Sequence, residues 1–286
     1  MKIIKYFFEF IFIITFFSIF KIIGYKNASN LGELIGKALG PLFRSRNKIQ
    51  KNLEYSKISE TREDREIIIN KMWGNYGRIL SEYLFLKKFR QNKLDKYIEV
   101  EGSNILKEIK KNNEQVVFVS GHFNNFELMA MEIDKAEIKL CAIYRPLNNP
   151  FLNIIMEWIR KNYICKSQIK KGKSGTRDLI NYFKKNFSVA LMIDQRVSEG
   201  EMVDLFNQPA KTTTIPAQLV KKYNCKIVPV YVERIKNIHF KITFEKPIKF
   251  EKTMSTKQIS QELNKILEKM ILKNPDQWIW SHDRWK

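Results

Sequence analysis

The segment from Gly121 to Glu127 reads Gly-His-Phe-Asn-Asn-Phe-Glu and combines an imidazole with a nearby carboxylate. A neutral His122 side chain can accept the proton of an attacking alcohol through one of its ring nitrogens. The Glu127 carboxylate can hold the proton on the other ring nitrogen and stabilise the imidazolium that forms. The pattern therefore predicts an acid–base centre in which a substrate hydroxyl replaces the serine of a Ser-His-Asp relay.

The surroundings of His122 favour this interpretation. Residues 116–120 read Val-Val-Phe-Val-Ser, a buried-strand pattern, so His122 follows the carboxyl end of a strand, where open α/β sheets bind ligands. Asn124 or the next asparagine can cap the following helix, which places Glu127 in its first turn. Gly121 lets the backbone approach a substrate closely, and amides at the helix start can face a developing oxyanion.

Both side chains also fit ordinary structural roles. A single histidine is more often structural than catalytic, and a glutamate in the first turn of a helix is favoured by the helix dipole alone. The chain has three histidines, His122, His239 and His282, so the choice of a base is narrow. Spacing alone leaves the catalytic and the structural interpretation open.

From about Tyr97 onward, short apolar runs alternate with amphipathic segments. The predicted strands are residues 115–120, 140–144, 188–193 and 226–232, and the predicted helices between them are residues 124–133, 149–161, 173–185 and 214–223. A further strand at 239–245 and a last helix at 256–272 complete the pattern. Strands that alternate with helices of this length indicate βαβ units, so we predict an α/β fold with a mainly parallel central sheet flanked by helices.

The part of the chain before this pattern is predicted to be helical. Residues 31–57 have a helical pattern with a break at Gly40-Pro41, and residues 63–89 carry apolar residues at helical spacing. We therefore divide the chain into a membrane anchor at residues 1–25, a helical annex at residues 26–96 and an α/β catalytic domain at residues 97–286.

Residues 6–24 are strongly apolar, with charges only at Glu9 and Lys21. As a helix this stretch would be about 28 Å long, close to the thickness of the hydrocarbon core of a bilayer. A cleaved signal peptide fits poorly, because Lys21 and Lys26 stand where small residues should form the cleavage site. An in-plane interfacial helix or a buried core helix would also be strongly apolar. Phe and Ile cover most of the circumference, which favours a spanning or deeply embedded helix.

The charge balance indicates anionic partners. The 51 Lys and Arg outnumber the 30 Asp and Glu, and the net charge of +21 suits nucleic acid, an anionic lipid surface or an acidic protein. Compositional drift would also explain the excess, since the lysines are scattered rather than clustered. A composition of 44% apolar and 28% charged residues excludes a disordered or fibrous protein. Three widely spaced cysteines argue against a disulfide framework or a cysteine-ligated metal site.

Four blocks of the sequence resemble the lipid A biosynthesis acyltransferases, the late lauroyl and myristoyl transferases within the lysophospholipid and glycerolipid acyltransferase superfamily. Residues 121–127 resemble the H-x4-D/E motif, and Tyr-Arg-Pro-Leu-Asn-Asn-Pro at 144–150 looks like the Tyr-Arg-Pro block. Asp194-Gln195, followed by Phe-Asn-Gln-Pro-Ala-Lys-Thr at 206–212, looks like the Asp-Gln and phenylalanine-rich segments. Residues 274–286 are similar to the C-terminal signature. The resemblance covers nearly the whole chain, including the apolar N-terminal segment.

The resemblance implies a membrane-bound O-acyltransferase that moves a fatty acyl group from acyl carrier protein to a hydroxyl of a lipid A precursor, a late acylation in lipopolysaccharide biosynthesis. His122 would be the general base and Glu127 would orient it, with no metal, no cofactor and no acyl-enzyme. The donor is an acidic protein and the acceptor a phosphorylated lipid in an anionic membrane, and both suit a +21 chain. No nucleic-acid motif is present.

The implied location is the bacterial inner membrane. One N-terminal helix would hold the chain there. More Lys and Arg follow the apolar segment than precede it, so the positive-inside rule places the catalytic domain on the cytoplasmic side. Whether the helix spans or only embeds, and the oligomeric state, are left open by the sequence.

Substrate-binding roles are expected for Arg145, Asp194, Gln195, Gly121 and Asn124. Arg145 ends the strand that begins near residue 140 and would bind phosphate or steady the tetrahedral oxyanion, unless it is a surface arginine before a proline turn. Asp194, at another strand end, would orient Arg145 or His122, or simply terminate its strand.

The C-terminal signature holds Trp278, Trp280 and Trp285, which either lie at the level of the lipid headgroups or pack in the core. Glu127 stands where the broader glycerolipid enzymes usually carry aspartate, and glutamate is common in the lipid A branch. The chain departs from the family pattern around Phe206, where the expected Phe-Phe-Gly is missing. The shape of the acyl pocket, and with it the acyl chain length, therefore does not follow from the resemblance.

The sequence is also compatible with two other functions. The first is an acyltransferase for a glycerophospholipid or another glycolipid, with acyl-CoA or acyl carrier protein as the donor. The second, more distant, is a non-catalytic protein whose basic surface binds anionic lipid or nucleic acid with a steep dependence on salt.

Overall fold

In the computed structural model, which describes residues 2–286, a seven-stranded sheet forms the centre of the fold. The strands are β1 (Ile98–Glu101), β2 (Val116–Ser120), β3 (Leu140–Tyr144), β4 (Ser167–Lys170), β5 (Ser188–Met192), β6 (Glu201–Leu205), β7 (Gln208–Thr212), β8 (Lys226–Lys236) and β9 (His239–Phe244). The order in the main sheet is β1-β9-β8-β2-β5-β3-β4, and β6 and β7 form a separate antiparallel hairpin. Only β8 and β9 pair in antiparallel fashion within the main sheet, which confirms the predicted mainly parallel α/β fold.

Ten α-helices surround the sheet in the described part of the chain. They are α1 (Lys2–Leu39), α2 (Arg46–Ser56), α3 (Arg62–Glu82), α4 (Leu86–Arg90), α5 (Ser103–Lys111), α6 (Glu127–Lys135), α7 (Pro150–Ile159), α8 (Lys173–Lys184), α9 (Ile215–Tyr223) and α10 (Thr256–Lys273). A π-helical turn (Arg160–Ile164) extends α7. The side chains of Thr61, Asn149 and Ser255 cap the amino ends of α3, α7 and α10, which explains where these helices begin.

The sheet is buried on both faces. Along β2, Val116 and Phe118 contribute to a core cluster with α5 and α6, while Val117 and Val119 contribute to another with α8, α9 and α10. All of β2 is buried, as expected for a parallel strand that is covered by helices on both sides. Because β2, β5 and β3 run parallel to one another, their carboxyl ends lie at the same edge of the sheet.

Glycines let α1 and α3 pack closely. α1 bends at Gly24, whose φ of 79° and ψ of 168° lie outside the helical region. After the bend, Gly32 and Gly36 of α1 lie against Gly77 of α3, and a Cβ atom on Gly77 would overlap the backbone oxygen of Gly32. The two helices therefore meet backbone to backbone and join the N-terminal region to the rest of the fold.

The part of α1 before the bend exposes large apolar side chains. Phe8 is 67% exposed and Ile22 is 84% exposed. α1 is long and apolar enough to cross a membrane, and few residues of its most apolar stretch are fully buried in the protein. The predicted apolar N-terminal helix is therefore present.

Candidate active site

The sheet brings His122 and Asp194 together. β2 and β5 are parallel neighbours, with Ser120 opposite Met192. His122 and Asp194 each follow their strand by the same two-residue offset, so both side chains emerge at the same edge. Nδ1 of His122 lies 2.7 Å from Oδ1 of Asp194.

Asp194 is fully buried and is held by three donors. Its second oxygen, Oδ2, accepts the backbone N–H of His122 at 2.8 Å and the indole N–H of Trp278 at 2.9 Å. Burial alone would raise the pKa of Asp194, but the charge and hydrogen bonds of His122, with that of Trp278, lower it to about 2. An ionised Asp194 accepts the proton on Nδ1, which leaves Nε2 of His122 as the basic nitrogen.

The His122 ring is positioned on two sides and accessible on a third. Its side chain is 20% exposed, and the Phe126 ring packs edge to face against it at 4.8 Å between centroids. Within residues 2–286, Nε2 makes no hydrogen bond. This is the geometry of a general base whose second nitrogen is held by a carboxylate.

Glu127 binds Arg160 and Tyr83 rather than His122. Its Oε1 atom accepts Nε of Arg160 at 2.7 Å, Nη2 of the same side chain, and the Tyr83 hydroxyl at 3.1 Å. No hydrogen bond or ion pair joins Glu127 to His122 in the described structure. The predicted contact between these two residues is therefore wrong, because Asp194 occupies the position on Nδ1 and the first turn of α6 places Glu127 against the π-helical turn.

Arg160 is a largely buried cation with one unpaired donor among the described residues. Its guanidinium lies over the Tyr144 ring at 5.3 Å, and its side chain is 11% exposed. Burial alone would lower the pKa of Arg160, but the Glu127 carboxylate raises it, so the charge is retained. Nη1 is buried and has no hydrogen-bond partner among the described residues. Buried donors of this kind are normally satisfied, which makes Nη1 a candidate donor for a substrate anion or oxyanion.

The structure offers no obvious metal site in the part of the chain that it describes. No group of three or more His, Cys, Asp or Glu side chains is gathered there. The three cysteines are buried and unpaired, and burial raises the pKa of the Cys141 thiol to about 12. Cys141 is therefore a neutral thiol rather than a reactive thiolate.

Comparison with known proteins decides the family. Residues 1–286 match the model of the family described as bacterial lipid A biosynthesis acyltransferase. The chain belongs to this family. It is similar to three proteins of Escherichia coli (strain K12), each named by the acyl group it transfers in lipid A biosynthesis. The palmitoleoyltransferase is 26% identical, and the match covers 90% of this chain and 84% of that protein. The lauroyltransferase is 24% identical, and the match covers 92% of this chain and 85% of that protein. The myristoyltransferase is 22% identical, and the match covers 88% of this chain and 77% of that protein.

In this acyltransferase, Arg145 and Gln195 lie at the expected edge of the sheet without fixed partners. Arg145 follows β3, is exposed, and makes no hydrogen bond or ion pair within the described residues. β5 separates β3 from β2, so the fold does not bring Arg145 to His122 as it brings Asp194. Gln195 is half-buried next to Asp194, and its side chain has no hydrogen bond in residues 2–286.

Gly121 and Asn124 pack against protein. A Cβ atom on Gly121 would lie 2.8 Å from the Phe123 ring, so the space beside this glycine is filled by a side chain. Asn124 is fully buried with a φ of 44°, and its Nδ2 donates to the Val232 carbonyl at 3.0 Å and to Oε1 of Gln277 at 2.7 Å. These contacts fix the loop that carries His122 against β8 and the C-terminal segment.

The candidate site also contains residues whose contacts the sequence does not predict. Arg160 and Tyr83 come from separate helical segments and meet only at Glu127. Trp278 and Trp280 are 2% and 0% exposed, so a position at the lipid headgroups is wrong for both, and Trp278 holds Asp194 instead. The one sequence signal for Trp278 is its place in the C-terminal block that resembles the family signature.

Proposed function

We propose that this acyltransferase moves a fatty acyl group from acyl carrier protein to a hydroxyl of a lipid A precursor, as a late acylation of lipid A. The hydrogen bond between His122 and Asp194 carries the proposal, because it supplies a base for an alcohol at the edge where α/β sheets bind ligands. The relatives named as lipid A lauroyl-, myristoyl- and palmitoleoyltransferases support the class of acceptor.

The proposed reaction is a direct transfer. Nε2 of His122 takes the proton of the acceptor hydroxyl while the oxygen attacks the thioester carbonyl carbon, and a C–O bond forms as the carbonyl becomes an oxyanion. The Asp194 carboxylate stabilises the imidazolium. When the C–S bond breaks, the imidazolium returns the proton to the departing thiolate of the carrier. Acceptor ester and free carrier thiol are the products, and no acyl-enzyme forms.

Glu127 acts in this mechanism through Arg160. Glu127 holds the guanidinium by two nitrogens, and the third, Nη1, is proposed to donate to the oxyanion or to a phosphate of the acceptor. Glu127 is thus a positioning residue rather than the group that orients His122. The exposed Arg145 and half-buried Gln195 are proposed to bind the polar part of the acceptor, while Gly121 and Asn124 shape the loop.

The charge and the N-terminal helix support the proposed partners and location. Acyl carrier protein is acidic, and the acceptor is a phosphorylated lipid in an anionic membrane, so a net charge of +21 attracts both. We place the chain at the bacterial inner membrane, held by α1, with the catalytic domain on the cytoplasmic side, in agreement with the excess of basic residues after the apolar segment.

The test is acyl transfer by the purified protein, with a panel of acyl carrier protein thioesters and a tetra-acylated lipid A precursor, followed by mass spectrometry of the product. We expect the mass of one added acyl group. His122→Ala should lower the rate by about 10²–10⁴-fold, the usual contribution of a general base. His239→Ala is the matched control, since His239 lies on β9, two strands away from β2, where its ring contacts the Tyr97 ring and the Lys236 carbonyl.

Three results would contradict parts of the proposal. Full activity in His122→Ala would show that His122 is not the general base. Transfer to a glycerophospholipid or another glycolipid, with none to the lipid A precursor, would favour the rival acceptor. Transfer from acyl-CoA but not from acyl carrier protein would exclude the proposed donor.

A further inference from the structure

The first part of α1 has two different faces. On one face, Phe20 is 3% exposed, and Phe16 and Phe17 pack against the same core cluster. The opposite face exposes Ile4, Phe8, Ile11, Phe12, Ile19 and Ile22, with the exposed Thr15 between Phe12 and Ile19. Apart from the neighbours Ile11 and Phe12, successive members of this row are three, four or seven positions apart, the spacing of a single helix face. The first part of α1 therefore lies along the protein surface instead of projecting from it.

Contacts near the amino end of α1 bind it to α7. Nδ2 of Asn149 donates to the Tyr6 carbonyl at 2.8 Å and to Oε2 of Glu9 at 3.3 Å. The Phe151 ring lies 5.8 Å from Phe7 and 5.7 Å from Phe10 between centroids. The amino end of α1 is thus fixed to the α/β domain by both hydrogen bonds and aromatic packing.

α7 continues the apolar surface of α1. Ile154 and Trp158 are 69% and 55% exposed, and with Phe151 they follow one another at three- and four-residue steps. Leu147, which precedes the helix, is 43% exposed. Met156 and Ile159, on the other side of the helix, are buried. α7 thus has one face on the domain core and another on which Phe151 contacts α1 while Ile154 and Trp158 remain largely exposed.

The two points at which α1 contacts the rest of the protein are too far apart for this helix to cross the bilayer perpendicularly. Tyr6 and Phe20 both contact the same domain, and a helix of this length separates them by about 21 Å. If α1 stood perpendicular to the membrane, it would draw Asn149 and α7 about 20 Å into the hydrocarbon core. Buried polar backbone and charged side chains of the α/β domain are not tolerated there.

We propose that α1 and α7 form one apolar platform that embeds in a single leaflet of the bilayer without crossing it. The inference rests on the membrane location in the proposed function and adds α7 as a second lipid-contacting element. Trp158, edge to face with Tyr163 at 5.3 Å, has the amphipathic ring that settles at the headgroup level. The exposed Lys161 and Lys166 follow α7 and suit anionic headgroups.

The platform lies next to the active site. α7 leads without a break into Arg160, whose guanidinium binds Glu127. A lipid acceptor in the same leaflet would therefore reach the site from the side, with its hydroxyl near the interface rather than in solution.

Nitroxide labelling tests the platform, because all three native cysteines are buried. Variants with one added cysteine, Ile4→Cys, Phe12→Cys, Ile22→Cys and Ile154→Cys, are labelled in the full chain and reconstituted in phosphatidylethanolamine–phosphatidylglycerol vesicles. Leu272→Cys on α10, at a position 55% exposed, is the control. Power saturation with oxygen and with a water-soluble nickel chelate then gives the depth of each label.

The platform predicts labels at Ile4, Phe12, Ile22 and Ile154 at similar depths, about 5–10 Å below the headgroups, and an aqueous label at Leu272. A label at Phe12 near the bilayer centre, about 15 Å deep, with shallow labels at Ile4 and Ile22, would indicate a spanning helix and overturn the proposal. So would a label at Ile154 as accessible to nickel as that at Leu272. Broadening that disappears on dilution with unlabelled protein would indicate a second copy on this surface instead of lipid.

The same vesicles separate this inference from the proposed reaction. The depths do not depend on turnover. The expected depth pattern without acyl transfer would count against the reaction alone, and acyl transfer with a spanning pattern would count against the platform alone.

Discussion

The imidazole of His122 and the carboxylate of Asp194 lie 2.7 Å apart although 72 positions separate them in the chain. Parallel pairing of β2 with β5, and an equal offset from the two strand ends, produce this contact. The carboxylate of the acid–base pair is therefore supplied by the neighbouring strand and not by the helix that follows His122.

Trp278→Phe should slow acyl transfer by removing one donor from Asp194. The variant keeps an aromatic ring but lacks the indole N–H that lies 2.9 Å from Oδ2. One hydrogen bond to a charged group contributes about 1.5–3 kcal/mol, so we expect a loss of about 10–150-fold in the rate. Trp280→Phe is the control, since its indole donates to the Pro275 carbonyl. Equal rates in the two variants would contradict the role of Trp278.

Glu127→Ala should destabilise the fold as well as abolish activity. The substitution leaves the Arg160 guanidinium buried without its carboxylate, which costs about 3–5 kcal/mol when a buried pair is broken. Glu127→Ala with Arg160→Met removes both charges, and we expect most of the stability to return while activity does not. Glu262→Ala, in an exposed pair with Lys265, should change the melting temperature little.

Thermal unfolding in detergent measures these variants. A double variant as unstable as Glu127→Ala would show that the pair is not the source of the loss. Recovery of activity in the double variant would contradict the proposed role of Arg160 in binding the oxyanion or phosphate.

Gly77→Ala should loosen the contact between α1 and α3. The added methyl group would overlap the Gly32 carbonyl oxygen, and an overpacked contact typically costs about 1–3 kcal/mol. We expect the melting temperature to fall by several degrees. Leu34→Ala, at a position of α1 that is 64% exposed, is the control and should leave it nearly unchanged. The same melting temperature for Gly77→Ala and the unmodified chain would contradict this packing.

Asp194 should contribute to the acid stability of the fold. Its folded pKa of about 2 lies below the ordinary value of 3.8, so the ionised form stabilises the folded state above about pH 4. This contribution is lost as the pH falls from about 4 toward 2. Asp194→Asn should therefore show a shallower fall in melting temperature over this interval. Curves that stay parallel across the interval would contradict the lowered pKa.

The central strands of the sheet can be predicted from their residues, whereas the strands at its two edges and the β6–β7 hairpin cannot. Residues 140–144 are predicted as a strand with the bounds that β3 has, because an uninterrupted apolar run is typical of a strand buried on both faces. β1 and β4 have only four residues each and are half exposed at the two edges of the sheet, so they lack such a run. The β6–β7 hairpin turns through Phe206 and Asn207, both with positive φ, and carries no glycine there.

The active site likewise has one part that the sequence predicts and one part that it does not. The position of His122 at a strand end follows from the sequence, because the apolar run before it is clear. For its partner the sequence offers Asp194 only as one alternative, a residue that orients Arg145 or His122 or ends its strand, and the strand order decides in favour of His122. The pair of Glu127 with Arg160 depends on how the turn after α7 packs against α6, and no local pattern encodes that contact.

The central claim is that His122 and Asp194 act as one unit in acyl transfer. The direct measurement is the transfer rate to a lipid A precursor for the unmodified chain, His122→Ala, Asp194→Asn and the double variant. We predict losses of about 10²–10⁴-fold for each single variant and no further loss in the double variant beyond that of His122→Ala. Losses that multiply in the double variant, or an unchanged rate in Asp194→Asn, would contradict it.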